Sequence, residues 1–243
     1  MCEVTVMPRF FKEYFEEQPF LEGDDAHHIA KSLRMRVGEE ITVCDTMGND
    51  YRCKISAVAP ERIGLEVIEI IANKTEPSVF VTLYQCLTKG DKMDTIVRQA
   101  VECGVGRIVP VLSENCVSRP DGAALKKKCE RWQRIADEAA GQCGRGILPK
   151  IMPMLTLKEA AKEIKSVDSA FFFYEIGGKP MEKRENIKTA AVIIGAEGGF
   201  TAEEAIMLEK MGATVTTLGP RILRAETAPV AALTLLMLQS GNM

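Results

Sequence analysis

The sequence is poor in groups that usually carry metal chemistry: its 243 residues include two histidines, adjacent at His27 and His28. Metal catalysis is therefore not expected. The eight cysteines are scattered singly and never form a C-x-x-C pair, so they read as reduced thiols rather than disulfides or a zinc site. No apolar run approaches the roughly 20 residues needed to span a membrane. The start, Met1-Cys2-Glu3-Val4, has no basic segment followed by an apolar one. No secretory signal is expected, and the expected compartment is the cytoplasm. Neither G-x-G-x-x-G nor G-x-x-x-x-G-K-[ST] occurs at the glycine-rich turns, which leaves a Rossmann dinucleotide site unsupported and excludes a P-loop. Positive charge is not in excess either: the net charge is −3. Residues 1–72 hold 8 Lys and Arg against 14 Asp and Glu, and the remainder holds 23 against 20. Such a chain is no general polyanion binder, so any nucleic-acid recognition must rest on local basic patches and a shaped target.

What is present is ordinary for a soluble globular protein, with 46% hydrophobic and 27% charged residues. The length allows one large domain or two of ordinary size. Residues 1–72 read as a small β-rich domain, with strands at Ile41–Cys44, Tyr51–Val58 and Ile63–Ile71 separated by Gly- and Pro-containing turns. A short helix is expected over His27–Leu33, capped by Asp24 or Asp25. The polar stretch Ile71–Pro77 reads as a linker. Beyond it, over residues 73–243, strand and helix alternate, which predicts an α/β domain on a parallel sheet. Val79–Tyr84 and Arg107–Leu112 are strands. Between them Met93, Ile96, Val97, Ala100 and Val101 form the stripe of an amphipathic helix ended by Gly104. Lys126, Lys127, Lys128, Arg131 and Arg134 make the strongest basic cluster, opposite an apolar stripe of Trp132, Ile135, Ala136 and Ala139. That face is either solvated or a phosphate-contacting surface. Further strands are expected at Ile147–Met152 and Ala170–Tyr174, then a polar, mobile loop over Glu175–Ile187.

The C-terminal stretch organises the rest. Two apolar runs, Ala191–Ile194 and Ala213–Leu218, each end in a glycine-containing turn. The first turn, Gly195-Ala196-Glu197-Gly198-Gly199, enters a helix with Thr201 as N-cap, Glu204 completing a capping box and Gly212 as the stop. The second, Leu218 to Arg224, leads to Thr227 and Pro229 at the start of a last helix. Val230–Leu238 is apolar nearly all round and is expected to be buried. Glycine lets a backbone approach a ligand closely, so the two turns are either tight turns alone or the main-chain wall of a ligand site.

The run I-I-G-A-E-G-G-F-T-x-E-E followed by L-G-P-R-I-L-R-A-E-T-A resembles the signature of the RsmE family. The likeness extends to R-F-F from Arg9, H-H-I-A-K-S-L-R-M-R-V-G-E, D-x-x-G-N-D-Y-x-C-K-I, K-G-D-K-M-D-x-I-V-R-Q-A-V-E-C-G-V and E-R-W-Q-R-I-A-D-E-A-A-G-Q-C-G-R, so it covers essentially the whole chain. Ala196 departs from the proline usual in the family turn; alanine loosens the turn slightly without removing a donor or a charge. The resemblance implies a PUA-like β-barrel domain over 1–72 that helps hold RNA. It implies a SPOUT methyltransferase domain over 73–243, its C-terminal chain threaded into a deep trefoil knot. It further implies transfer of a methyl group from S-adenosyl-L-methionine to N3 of one uridine in 16S rRNA of the assembled small ribosomal subunit, by a homodimer, without metal or membrane.

On that resemblance the cofactor falls to Tyr174, Gly195, Glu197, Gly199, Leu218, Gly219, Ile222, Leu223 and Arg224. Ile222 and Leu223 suit plain core packing equally well. Expected catalytic residues are Glu197 or Glu226 as proton acceptor, and Arg9 and Arg221 to stabilise a uridine oxygen. Glu226 is otherwise a partner for Arg224, and Glu197 a cap for the helix after it. Arg9, Arg34, Arg36, Lys89, Arg131, Gln142 and Arg145 are the expected RNA contacts. The last helix is either a subunit interface or an intrachain core helix. Two other readings stay open: a SPOUT enzyme acting on transfer RNA or another ribosomal position, and a non-catalytic ribosome-assembly factor.

Overall fold

The computed structural model describes residues 7–15, 19–183 and 186–243. The N-terminal stretch read for a secretory signal, and residues 184 and 185 of the 175–187 loop, lie outside the described residues. The chain divides into two units. One is made by the described residues up to Glu76 together with Ala140–Leu148, the other by Pro77–Ala139 and Pro149–Met243.

In the first unit β1 (Arg9–Phe11) and β2 (Phe20–Glu22) precede a helical turn α1 (Asp24–His27) that continues as a π-helical turn over His28–Ser32. The expected helix at His27–Leu33 thus starts earlier and changes pitch midway. Asp24 and Asp25 are first-turn acids rather than caps, because Gly23 holds the cap position at φ 65°. There they still complement the positive end of the helix. Then come β3 (Glu40–Cys44), β4 (Asn49–Ala59) and β5 (Arg62–Ala72), in a five-stranded sheet of order β1-β3-β4-β5-β2. The register of β4 on β5 slips between Arg52 and Cys53 and again between Ile55 and Ala57. Bulges of this kind bend the strand and curl the sheet. On its concave side Phe10, Leu21, Ile29, Ile41, Val43, Ile55 and Ile63 form the core.

The second unit runs β6 (Phe80–Cys86), α2 (Lys92–Glu102), β7 (Arg107–Leu112), α3 (Gly122–Cys143), β8 (Lys150–Ile151), β9 (Leu155–Thr156), α4 (Leu157–Glu163), β10 (Ser169–Phe173), β11 (Lys179–Pro180), β12 (Thr189–Ile194), α5 (Ala202–Lys210), β13 (Thr214–Thr217) and α6 (Ala228–Gln239). The sheet order is β11-β13-β10-β12-β6-β7-β8, with β9 also on β7, and each pairing is parallel. The expected parallel sheet is present. Its central strands are buried along their length, Val81–Cys86 in β6 and Ala190–Ile194 in β12. Helices on both faces require such continuous apolar runs. Tyr84, Phe171 and Phe172 are fully enclosed, each stabilising the fold by roughly 1.5–3 kcal/mol of apolar burial.

Local signals placed most boundaries. All five stripe residues of α2 are buried, and Gly104 follows at φ 88°. Thr201 and Glu204 form the reciprocal capping box of α5, and Gly212 sits past its end at φ 99°. The strand expected at Ile147–Met152 shrinks to two residues, because Pro149 and Pro153 bracket it and donate no ladder hydrogen bond. The last helix is not buried all round: Ala232, Leu233, Leu236 and Met237 face the core, while Thr234 and Leu238 are exposed. Its main packing partners are α2 and β12.

The sheet order positions the site. β12 lies between β6 and β10, and β13 lies on the other side of β10. Since β13, β10 and β12 are parallel neighbours, their carboxyl ends open along one edge. Open α/β sheets bind ligands at that edge.

Candidate active site

The three strand ends enclose one cavity of about 1020 Å³. β10 delivers Phe173, Tyr174 and Glu175; β12 delivers the turn Gly195–Gly199; β13 delivers Thr216 through Glu226. Eleven expected residues line it: Tyr174, Gly195, Glu197, Gly199, Leu218, Gly219, Arg221, Ile222, Leu223, Arg224 and Glu226. The first turn is closed by the Gly199 amide donating to the Ala196 carbonyl at 3.0 Å. Gly199 takes φ 60°, and a Cβ there would lie 2.1 Å from Glu175 Oε1. In the second turn Gly219 takes φ 98° and donates its amide to Thr217 Oγ1 at 3.1 Å. Ile222 is 83% exposed, which removes the core reading for it and leaves an apolar side chain on a cavity wall. Tyr174, which lines the cavity, stacks on Phe172 at 5.4 Å, and Phe172 meets Phe200 edge-on at 4.8 Å.

Charge in the cavity centres on Lys92, which the sequence reading did not single out. It enters from the first turn of α2 and places Nζ 3.0 Å from Glu197 Oε1 and 3.4 Å from Glu226 Oε2. The Lys89 amide also donates to Glu197 Oε1, at 3.1 Å. Burial pushes the Glu197 carboxyl up, but the hydrogen bonds from Lys92, its own turn and Lys89 outweigh this and hold it below the usual carboxylate range. Three donors thus hold Glu197 as a carboxylate, and its pKa is not raised as the expected proton acceptor's would be. It does not cap α5 either, a task held by Thr201 and Glu204. Glu226 pairs with Lys92 rather than with Arg224. Its Oε2 is buried, lies within ion-pair distance of Lys92, and has no hydrogen-bond partner. The Lys92 ammonium is held above its ordinary value, chiefly by the hydrogen bond to Glu197. Glu175, Gly177, Gly178 and Thr217 are further lining residues absent from the expected set.

The remaining expected residues lie elsewhere. Arg9 donates through both terminal nitrogens to Asp50 and through Nε to the Arg145 carbonyl at 3.2 Å. Arg145 donates to both oxygens of Glu76, at 2.8 and 2.7 Å, and its side chain is 3% exposed. A buried bidentate pair of this kind holds structure together. The Arg145 guanidinium, expected on RNA, thus fastens the 140–148 segment to Glu76 instead. Arg9, expected at the reacting uridine, braces the same segment within the first unit. Arg34 and Arg36 are exposed, as are Lys89 and Gln142. Arg131 is exposed but ion-paired to Asp94, whose other oxygen accepts from Trp132 Nε1 at 3.2 Å. Lys126 and Lys127 point to solvent. Among the described residues no cluster of His, Cys, Asp and Glu is placed to hold a metal ion. No described helix is long and apolar enough to cross a membrane.

A parallel sheet with glycine-rich turns around a cavity at its carboxyl edge has the layout of an α/β enzyme that binds a small molecule. The family model for an RNA methyltransferase domain matches residues 75–237, and that for an RNA methyltransferase PUA domain matches residues 21–68. The chain is 30% identical to ribosomal RNA small subunit methyltransferase E of Bacillus subtilis, over 96% of this chain and 97% of that one. It is 36% identical to the protein of the same name from Aquifex aeolicus, over 89% and 92%. A crystal structure of ribosomal RNA small subunit methyltransferase E from Neisseria gonorrhoeae, bound to S-adenosyl methionine, superposes with a TM-score of 0.88 at 29% identity, over 96% of this chain and 98% of that one. The chain belongs to the ribosomal RNA small subunit methyltransferase E family.

Proposed function

We propose that this protein transfers a methyl group from S-adenosylmethionine to N3 of one uridine in 16S rRNA of the small ribosomal subunit. The observation that carries the reading is the convergence of both glycine-rich turns and the end of β10 on one cavity, in a chain of this family. The cavity suits the cofactor. Its volume is at the upper end for small-molecule sites, and the Cα of Gly199 leaves a surface where any side chain would strike Glu175. The exposed Ile222 offers apolar area to a flat base. Main-chain groups of Leu218, Ile222 and Leu223 take the adenine edge, while Tyr174, Gly195, Gly199, Gly219 and Arg224 enclose the rest. When bound, the cofactor supplies a methyl group already activated on a sulfonium.

The protein's own task is then orientation and the proton. Fixing the imide nitrogen in line removes most of the entropic barrier. The N3–H proton passes to the Glu226 carboxylate, which has an acceptor oxygen with no hydrogen-bond partner; with the cofactor bound, the electron pair left on nitrogen would bond the methyl carbon as the methyl–sulfur bond breaks, its pair staying on sulfur in the neutral thioether that leaves. Arg221 lies on the same wall and stabilises negative charge on a uracil oxygen as it builds. Arg34, Arg36, Lys89, Gln142 and the Lys126–Arg134 face supply phosphate contacts, which position RNA without reading sequence. Residues 1–72 act as the RNA-holding domain. Residues 73–243 act as the transfer domain, in which the chain around β10, β12 and β13 is threaded as a trefoil knot. The working form is a cytoplasmic homodimer that joins through the exposed side of α6 and takes the assembled subunit as substrate.

The test is transfer of labelled methyl from S-adenosylmethionine to small subunits, to deproteinised ribosomal RNA and to transfer RNA, side by side. Label is expected in assembled small subunits. Label in transfer RNA would move the substrate, and cofactor binding with no transfer to any of the three would overturn the reading.

A further inference from the structure

Lys92 occupies an unusual place for a residue with no assigned role. It belongs to α2, yet its ammonium reaches one carboxylate from each glycine-rich turn: Glu197 after β12 at 3.0 Å and Glu226 before α6 at 3.4 Å. Two carboxylates converging on one cavity wall repel each other unless a cation lies between them. Glu197 has a second anchor in the Lys89 amide, whereas Lys92 is the partner the structure gives Glu226. We infer that Lys92 is the positioning residue of the active site, an ionic clasp from α2 that draws the two turns together and holds the Glu226 carboxylate aimed for the proton it accepts. The inference rests on the methyl-transfer reading for its consequence in catalysis, but the clasp itself is a property of the protein without ligand.

The cavity wall carries other charged groups besides Lys92: Glu197 from the turn after β12, Glu175 from the chain after β10, and Arg221 and Arg224 from the turn before Glu226. Taking away the ammonium removes the ion pair that fixes the direction of the Glu226 carboxylate, so the rate at saturating cofactor falls and a guanidinium at the same position restores it. A lysine that served only the fold would leave that rate unchanged in the folded variant.

The experiment compares wild type, Lys92→Met, Lys92→Arg and Glu226→Gln. In protein without cofactor or RNA, hydrogen exchange of the amides over 195–199 and 219–226 should quicken about fivefold in Lys92→Met, the loss expected of two partly exposed ion pairs. Lys92→Arg should restore slow exchange. Glu226→Gln should quicken only the second turn. With small subunits and saturating cofactor, Lys92→Met should lose about tenfold in rate, a modest share of what a general base contributes, and Lys92→Arg should recover most of it. Wild-type exchange in both turns of Lys92→Met would overturn the clasp. Faster exchange with a wild-type rate at saturating cofactor would overturn its role in catalysis. Should Lys92→Met fail to fold, Lys92→Arg and Glu226→Gln carry the test, and equal exchange in the two of them over 219–226 would refute it. Were wild type to methylate none of the RNAs while the exchange pattern held, the function reading would fail and the clasp would stand.

Discussion

Replacing Gly199 with alanine separates backbone strain from ligand exclusion, provided a second glycine serves as control. Gly199 and Gly212 both take positive φ, 60° and 99°. An L-residue held there loses about 1–2 kcal/mol. Gly212 is further from the left-handed helical well, so Gly212→Ala should lose at least as much stability as Gly199→Ala. The surroundings differ sharply. A Cβ at Gly212 meets nothing within 4 Å, whereas one at Gly199 lies 2.1 Å from Glu175 Oε1 and 2.8 Å from its Cδ. Glu175 is exposed and its tip can swing aside, so the clash adds little to the folding cost. It does displace a carboxylate within the cavity and adds a methyl group to the wall. Both variants should melt lower by roughly 2–8 °C, taking about 2–4 °C per kcal/mol for a chain of this size. In calorimetric titration with S-adenosylmethionine, Gly199→Ala should bind at least about tenfold more weakly, near 1.4 kcal/mol, and Gly212→Ala should bind as wild type does. Equal affinities for the two variants would refute the placement of Gly199 in the site.

Other outcomes follow from the same geometry. Arg145→Ala leaves Glu76 with the Gly146 amide but without its cation, in a pair that is nearly closed to solvent on the arginine side, so urea unfolding should show a loss of about 3 kcal/mol; a change under about 1 kcal/mol would mean the pair is not structural. The folded Glu197 carboxyl lies below its ordinary value, so the stability it contributes is complete above the unfolded carboxylate pKa and is lost as pH falls through the lower folded one. Glu197→Gln should accordingly flatten the acidic part of a melting-versus-pH curve, and parallel curves would contradict that. Replacing Arg34 and Arg36 together by glutamine should weaken binding to small subunits and lessen its salt dependence while leaving cofactor affinity unchanged. Leu238, 58% exposed on α6, should shift the protein toward monomer in sedimentation when replaced by aspartate, if α6 is the subunit interface.

Where a residue's neighbours in sequence fix its conformation, the sequence was legible. Thr201 and Glu204 close a capping box on each other, so the start of α5 needs no tertiary information. Gly104 and Gly212 end helices because their own φ demands it. The alternation of buried strands with α2 and α5 gave the parallel sheet. What escaped depends on partners distant in the chain. Lys92 follows Asp91 at a helix start and looks like any solvated lysine; that it meets Glu197 and Glu226 is a consequence of strand order. Arg145 sits in a glycine-flanked loop and reads as exposed, yet Glu76 buries it. The strands β1 and β2, of three residues each, are too short to carry a periodicity. The opposite error occurred at α6, where uniform apolarity suggested full burial although packing covers one side. Ile222 shows the same limit: hydrophobicity alone does not distinguish a core residue from an exposed one on a cavity wall.

The atom that receives the methyl group tests the account most directly. Small subunits labelled by this protein and methyl-labelled S-adenosylmethionine would be digested to nucleosides and separated by mass and retention. The account predicts N3-methyluridine from a single site, with label falling by about a hundredfold or more in Glu226→Gln, as loss of a general base entails. Label on a ribose, on a ring carbon or on any nucleoside other than uridine would contradict it.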